Sequence, residues 1–220
     1  MTLDYRSLLI REWGEEDYDP SHDLGHIERV VETASFLARK EEADFDVILP
    51  AAWFHDIVNL GKDHPKREKA SLYSADRAIF LLCEYGYEFK DKMDGIHHAI
   101  HAHSFSANIV PETIEAQIIQ DADRLDALGS IGIMRTFTVS GMLKRPMFHS
   151  DDPFAEHRSL DDQQFALDHF EEKLFKIGTS LNTRTARLLA GPKIKLMRQF
   201  MDQLRSELMI PQAARSSSAA

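Results

Sequence analysis

Three short segments of the chain carry side chains that could together bind a divalent metal ion. His26 lies in the first, His55 and Asp56 are adjacent in the second, and residues 121–126 contain three aspartates. Taken singly, a histidine on an amphipathic helix is usually a packed side chain, and an aspartate near a helix end is usually a cap. These segments, however, adjoin strongly apolar stretches, where a buried His-Asp pair is costly unless it is paired or binds a metal. Two imidazoles and two carboxylates therefore form a candidate metal site.

The order and surroundings of these segments resemble the HD-domain superfamily of metal-dependent phosphohydrolases, which is named for an adjacent His-Asp pair. The resemblance extends over about residues 21–132 and, more loosely, through the helical remainder to about residue 208. Runs at residues 68–71, 103–106 and 120–127 are similar to the bacterial branch of small single-domain predicted phosphohydrolases. This combination of motifs is far more specific than the His-Asp dipeptide, which chance supplies often.

The resemblance implies four protein ligands for the metal, listed in chain order as His26, His55, Asp56 and Asp123. It favours Asp123 over Asp121, because Asp123 precedes an Arg-Leu pair as in the family motif. The mixed nitrogen and oxygen ligands suit a divalent cation, with Mn, Mg, Co, Ni, Fe and Zn as candidates. By the same resemblance, an open coordination site is expected, in which metal-activated water attacks phosphorus.

Cationic side chains follow the His-Asp pair closely and could stabilise the negative charge that grows during phosphoryl transfer. Lys62 and His64 are the preferred catalytic candidates, because their segment is predicted to be a loop directly after the metal-bearing helix end. Arg67 and Lys69 come next, and Lys69 is a candidate for substrate binding. The alternative interpretation is that these side chains are solvated loop charges.

A second group of histidines occurs on and just after one predicted helix. His98 and His103 fall in its family-like part and are predicted to bind substrate phosphate. The alternative is a second metal ion bridged by Asp56, since extra histidines at comparable places do this in some HD enzymes. His97 and His101 are spaced i, i+4 on one helix face and are interpreted as ordinary surface histidines.

The composition indicates a protein with a sizeable core, since 43% of the 220 residues are hydrophobic. A formal net charge of −10 argues against nonspecific binding to nucleic acids or membranes. The family resemblance implies a small phosphorylated molecule as the partner, with a nucleotide favoured. The single cysteine, Cys83, lies in an apolar run and is predicted to be a small core residue. No secretory signal or membrane span is predicted, which favours a cytoplasmic protein, and the oligomeric state is left open.

Helical periodicity dominates the chain, and no segment alternates convincingly as a strand. We expect one all-α domain over residues 1–210, consisting of an HD-domain helical bundle with an integrated C-terminal helical layer. The bundle, over about residues 21–132, would carry the metal site, and residues 133–210 would form the layer. Residues 211–220 have nothing to bury and are predicted to be disordered.

Three local features of these helices are also predicted. The helix before His55 should begin near Asp46 as its N-cap, with Pro50 tolerated in the first turn. A further helix is predicted at about residues 160–176. In the last helix, the step Gly191-Pro192 should cause a kink or a break.

The leading functional hypothesis is hydrolysis of a phosphoester or phosphoanhydride by metal-activated water. The family resemblance makes a nucleotide the favoured substrate. Which phosphorus is attacked stays open, since the sequence has no glycine-rich phosphate loop. An alternative from a different class is a noncatalytic metal-containing nucleotide sensor or interaction domain, and an HD-type oxygenase is a more distant one.

Overall fold

Helices provide the regular secondary structure throughout the described part of the chain, which confirms the predicted all-α fold. The computed structural model describes residues 3–14, 23–60 and 64–217, with side chains as far as Leu208. Its α-helices are α1 (Tyr5–Trp13), α2 (Leu24–Glu41), α3 (Phe45–Phe54), α4 (Ala70–Glu84), α5 (Met93–His103), α6 (Ile114–Asp126), α7 (Gly129–Met142), α8 (Phe175–Thr179) and α9 (Arg184–Ser217). Of these described helices, none combines the length and the apolar character that crossing a bilayer requires.

Helices α2 to α6 form the bundle that carries the predicted site. Helix α5 packs against α3, α4 and α6, while α2 packs against α3 and α6. The start of α2 is fixed by Asp23, whose carboxylate accepts a hydrogen bond from the backbone N–H of His26 at 2.8 Å. The buried face of α2 consists of apolar residues at helical spacing, which include Ile27, Val30, Ala34 and Leu37.

Helix α3 begins earlier than predicted. Its N-cap is Asp44 rather than Asp46, so Pro50 is the sixth helical residue and lies beyond the first turn. A proline at this position leaves the carbonyl of Asp46 without its helical N–H donor. The hydroxyl of Tyr87 donates a hydrogen bond to that carbonyl instead. The helix therefore continues past the proline and places His55 at its C-terminal end.

The C-terminal layer is integrated with the bundle, as predicted. Helix α9 packs against α2, α6 and α7. Aromatic rings fill the layer: those of Phe170 and Phe200 stack with centroids 5.7 Å apart, and Phe137 contacts both. The residue boundary between bundle and layer stays a prediction.

The helix predicted at residues 160–176 starts later than expected, because the chain has irregular structure through residue 167. Asp168 holds this irregular stretch through two hydrogen bonds from the guanidinium of Arg158, at 2.5 and 2.8 Å. Helical structure begins at residue 168 and continues through a π-helical turn, Phe170–Leu174, directly into α8. A buried ion pair thus replaces the helical hydrogen bonds that the periodicity predicted.

Helix α9 does not break at Gly191-Pro192. Both residues are exposed, so water can satisfy the carbonyl that loses its helical donor at the proline. The helical backbone extends to Ser217, into the segment 211–220. The disorder that the composition predicts for that segment stays a prediction.

Cys83 is exposed, so its predicted place in the core was wrong. The preceding residues of α4, Leu81 and Leu82, occupy the buried positions. Because successive residues of a helix point about 100° apart, Cys83 falls on the outward face.

Candidate metal centre and adjoining cleft

Two buried histidines face each other at the centre of the bundle. His26 lies in the first turn of α2, and His55 follows the last residue of α3. The Nδ1 atom of His55 donates to the carbonyl of Ala52 at 2.8 Å, and the Nδ1 atom of His26 lies 2.8 Å from a carboxylate oxygen of Asp126. These partners place the proton of each neutral ring on Nδ1. Each Nε2 atom therefore keeps its lone pair as a ligand.

The two Nε2 lone pairs are only 3.4 Å apart, which is unfavourable unless a cation or a proton lies between them. Two carboxylates converge on the same place. Asp56 Oδ2 lies 3.8 Å from His26 Nε2 and 3.7 Å from His55 Nε2, while Asp123 Oδ1 lies 3.6 Å from His26 Nε2. We call these four residues the ligand cluster. Its donor set fits a divalent metal ion.

Electrostatics favour the metal-binding protonation states of two members of the ligand cluster, His55 and Asp123. Burial lowers the pKa of His55 to about 4, so its imidazole is neutral at physiological pH. Burial alone would raise the pKa of Asp123, but the neighbouring imidazoles, His26 first, lower it below its ordinary value. Neutral imidazoles and ionised carboxylates are the metal-binding forms of these groups.

Asp126 orients His26 from behind the ligand cluster. Besides its contact with His26, its carboxylate accepts hydrogen bonds from Arg29 at 2.7 and 3.0 Å and from Arg135 at 2.7 Å. Burial opposes ionisation of Asp126, yet the hydrogen bonds from His26 and Arg29 hold its pKa well below the ordinary value. An ionised partner on Nδ1 makes the opposite ring nitrogen a stronger ligand.

The closeness of Arg124 and Asp126 in sequence predicts a salt bridge that supports the Asp123 helix, but the structure gives the two residues different partners. Arg124 instead donates to the carbonyl of Ser180 at 2.9 Å. Arg29 and Arg135 were missed as partners of Asp126. The available signal was spacing: Asp126 lies three residues after Asp123, so both carboxylates share one side of α6.

Asp121 has a structural role that separates it from the ligand cluster. Its buried carboxylate accepts hydrogen bonds from the backbone N–H groups of Asn182 and Thr183, at 2.8 and 2.7 Å, and from the hydroxyl of Thr183 at 2.8 Å. These contacts tie the start of α9 to α6. The preference for Asp123 over Asp121 as a ligand stays a prediction, and it agrees with this division of roles.

His103 lies at the same centre, although the sequence interpretation made it a substrate-binding residue. Its Nδ1 donates to the carbonyl of Ile100 at 2.6 Å, and its Nε2 lies 3.3 Å from Asp56 Oδ1. Burial opposes its charged form, but the hydrogen bond and the negative charge of Asp56 raise the pKa of His103. This buried imidazole can therefore hold a proton beside the ligand cluster.

The structure gives the other predicted substrate and catalytic residues different surroundings. His98 accepts a hydrogen bond from the backbone N–H of Glu112 at 2.9 Å and so holds the loop before α6. His64 and Lys69 are exposed, and Lys62 lies outside the described residues. Their proposed roles in catalysis and binding stay predictions.

A positively charged cleft of about 230 Å³ adjoins the ligand cluster. Arg135 connects the two regions, because it lines the cleft and also contacts Asp126. Asp162 is the carboxylate among the described lining residues. We call this region the basic cleft, and its cationic or ionisable side chains are Arg67, Arg135, Arg145, His169 and Lys173.

The sequence analysis named Arg67 as a cation that could stabilise phosphoryl transfer, but it gave no such role to the other basic residues of this cleft. Lys173 lies near enough to Asp123 for their charges to interact, although burial is the main effect and lowers the pKa of Lys173. A concave site with several cations and one carboxylate can bind a phosphate chain, even in a chain whose net charge is −10.

Comparison with known proteins agrees with this geometry. The family model for the HD domain matches residues 23–128. The Bacillus subtilis protein YpgQ is 32% identical over 207 residues, which cover 90% of this chain and 92% of YpgQ. The matched family segment contains the whole ligand cluster, whereas most of the basic cleft lies beyond it.

Solved structures resemble this fold over most of its length. The crystal structure of Bacillus subtilis YpgQ in complex with ADP has a TM-score of 0.71 and 30% identity, covering 92% of this chain and 95% of that one. An HD-superfamily hydrolase from Bacillus thuringiensis has a TM-score of 0.69 and 28% identity, covering 92% and 94% of the two chains. The similarity therefore includes the C-terminal layer as well as the bundle.

Proposed function

The chain belongs to the HD-domain family, and from this premise we propose that it is a divalent-metal-dependent phosphohydrolase that cleaves a phosphoester or phosphoanhydride of a nucleotide. The observation that carries the proposal is that the basic cleft adjoins the ligand cluster: Arg135 contacts Asp126 and the Nδ1 side of His26, and the charge of Lys173 interacts with Asp123. A metal site alone would serve many reactions. A metal site beside several phosphate-binding cations favours phosphoryl transfer.

The proposed mechanism divides the work between the two regions. A divalent cation held by the ligand cluster would supply a Lewis acid and lower the pKa of water for attack on phosphorus. Arg67, Arg145 and Lys173 bind the phosphate oxygens, orient the chain and offset its negative charge. His103 places its Nε2 atom 3.3 Å from Asp56 Oδ1, where it can hydrogen-bond to an oxygen beside the ligand cluster.

Two findings support a nucleotide as the substrate. The basic cleft offers more cations than one phosphate group needs, which fits a diphosphate or triphosphate chain. The related protein YpgQ has been crystallised with ADP. For this chain, we infer that the basic cleft binds the same class of ligand.

The test combines elemental analysis of the purified protein with phosphate and pyrophosphate release from a panel of nucleotides, using Mn, Mg, Co and Ni. We expect metal-dependent release, and the released product will identify the phosphorus that is attacked. Asp56→Ala should reduce the rate about 10³-fold, because a ligand of the Lewis acid is lost. Asp91→Ala is the matched control, since the Asp91 side chain is 78% exposed, and it should retain the wild-type rate.

A different result would change the assignment. Bound metal without release from any nucleotide would contradict the proposal and favour the noncatalytic sensor. Release that survives Asp56→Ala would show that the reaction does not depend on the ligand cluster.

A further inference from the structure

A second cavity, of about 470 Å³, lies between the loop after α5 and the C-terminal half of α6. The proposed function leaves this cavity without a role. It adjoins the basic cleft, because Phe105 lines the cavity and its ring centroid lies 5.4 Å from the ammonium group of Lys173, which lines the cleft. We call it the Phe105 cavity, and its lining residues are Ser104, Phe105, Ser106, Asn108, Ile109, Gln120 and Arg124.

Phe105 presents an aromatic surface to solvent at the rim of this cavity. Its side chain is 48% exposed, although burying a phenyl group is normally favourable. The guanidinium of Arg124 lies 5.8 Å from the ring centroid, so this ring has two cations, Arg124 and Lys173, close to it. An exposed ring next to cations is the arrangement with which proteins stack nucleobases.

Arg124 supplies an independent sign of a ligand. Its Nη1 donates to the carbonyl of Ser180 at 2.9 Å, which fixes the guanidinium in place. Its Nε, however, is buried and has no hydrogen-bond partner in the described part of the molecule. A buried donor without an acceptor is costly, so an acceptor atom from a ligand in the cavity would relieve that cost.

Hydrogen bonds already hold three other polar side chains of the cavity wall, those of Gln120, Ser104 and Ser106. The Gln120 amide donates to the carbonyl of Ala102 at 2.7 Å and accepts from the Asn182 amide at 2.9 Å. Ser104 and Ser106 contact each other through their hydroxyls at 3.0 Å. The cavity is therefore a formed site that needs little rearrangement to take a planar ligand.

We propose that the Phe105 cavity binds the nucleobase of the substrate, with the base stacked on Phe105 and a base or sugar acceptor meeting the Arg124 Nε–H group. The inference rests on the proposed function and deepens it, because it assigns a site to the nucleoside part of the substrate. The phosphate chain then lies across Lys173 in the basic cleft. The cavity thus selects nucleotides over inorganic polyphosphates.

The test compares two ligands that differ by one adenosine: α,β-methylene-ADP and methylenediphosphonate, both resistant to hydrolysis. Their affinities are measured by calorimetry with Mn present. Phe105→Ala should weaken binding of the nucleotide analogue about tenfold, which is typical of a lost base-aromatic stack. Binding of methylenediphosphonate should stay within about twofold, which also demonstrates that the variant folds. Phe105→Tyr should restore the nucleotide affinity.

The matched control is Phe80→Ala, which removes another exposed ring, 56% exposed on α4, and should change neither affinity. Equal weakening of both ligands by Phe105→Ala would overturn the proposal, because the ring would then act through Lys173 on phosphate. Unchanged binding of both, or no preference of the wild type for the nucleotide analogue, would also overturn it. This experiment measures binding and not turnover. A protein that hydrolyses no nucleotide would therefore contradict the proposed function but would not decide whether the Phe105 cavity binds the base.

Discussion

The ligand cluster and the basic cleft adjoin each other but are built in opposite ways. The imidazoles of the cluster are fully buried, and each has an additional hydrogen bond that fixes its orientation. The basic cleft is open, and its cations come from segments as distant as Arg67 and Lys173. A metal ligand must be held within a few tenths of an ångström, whereas a phosphate chain accepts charge from several directions.

This contrast predicts different consequences of mutation. Changes behind the ligand cluster should alter metal affinity, because they disturb the orientation and charge of the ligands. Removing a cation from the basic cleft should lower substrate affinity, by an amount that differs from one cation to the next. The three predictions that follow test whether the two regions can be separated in this way.

The largest effect is expected from Asp126→Asn, which removes the negative charge behind His26 but keeps the shape of the side chain. The Nδ1 contact at 2.8 Å would lose its ionised partner. We expect metal affinity to fall about 10- to 100-fold, with little change in substrate KM at saturating metal. Metal titration of the chelator-treated protein, followed by activity, gives both values.

Asp168→Asn is the matched control for Asp126→Asn. Asp168 is also buried and also paired with an arginine, Arg158, but it lies just before the π-helical turn Phe170–Leu174. Its loss should lower the stability of the fold and leave metal affinity unchanged. Equal loss of metal affinity in both variants would indicate general destabilisation, and the orienting role of Asp126 would be wrong.

The same contrast explains what the sequence could predict. His26, His55 and Asp56 could be nominated because their residue types have few roles beside apolar helices, and the helical periodicity around them was strong. The all-α fold followed from the same periodicity. Local hydrogen bonding was harder to predict, and α3 is an example. The helix tolerates Pro50 because the hydroxyl of Tyr87, which is distant in sequence, donates to the carbonyl that the proline leaves without a donor.

The basic cleft could not be predicted, because arginine and lysine are the ordinary residues of any solvated surface. Arg145 and Lys173 become part of one site only after the irregular stretch folds back between α7 and α8, and hydrophobic periodicity carries no signal for such a stretch. The Phe105 cavity illustrates an intermediate case. The family resemblance singled out its loop. The contacts of the Phe105 ring with Arg124 and Lys173, however, form only in the tertiary structure.

A second prediction concerns the pH dependence of the metal-free ligand cluster. Because burial lowers the pKa of His55 to about 4, the unfolded chain takes up a proton near pH 6.5 that the folded chain refuses until about pH 4. The contribution of the neutral His55 ring to the unfolding free energy is thus present above pH 6.5 and is lost as the pH falls. Between pH 7.5 and 5, the wild type should lose about 2 kcal/mol more unfolding free energy than His55→Gln.

Urea unfolding in the presence of a chelator measures this difference at the two pH values. His103, whose pKa is shifted upward, contributes in the opposite direction, but it is present in both proteins and largely cancels in the comparison. His64→Gln replaces an exposed histidine and should show the wild-type loss. An equal loss in wild type and His55→Gln would mean that His55 is not buried as a neutral ring.

The smallest effect is expected in the basic cleft, from Lys173→Ala. This change removes one cation among several, so KM should rise about tenfold while kcat stays within about twofold. The rise should be equal for a nucleoside triphosphate and for tripolyphosphate, because Lys173 would bind the phosphate chain and not the base. Lys195→Ala, on an exposed part of α9, should leave KM unchanged. If Lys173→Ala instead shifts the metal concentration needed for activity, the charge of Lys173 acts on Asp123, and the two regions function as one electrostatic unit.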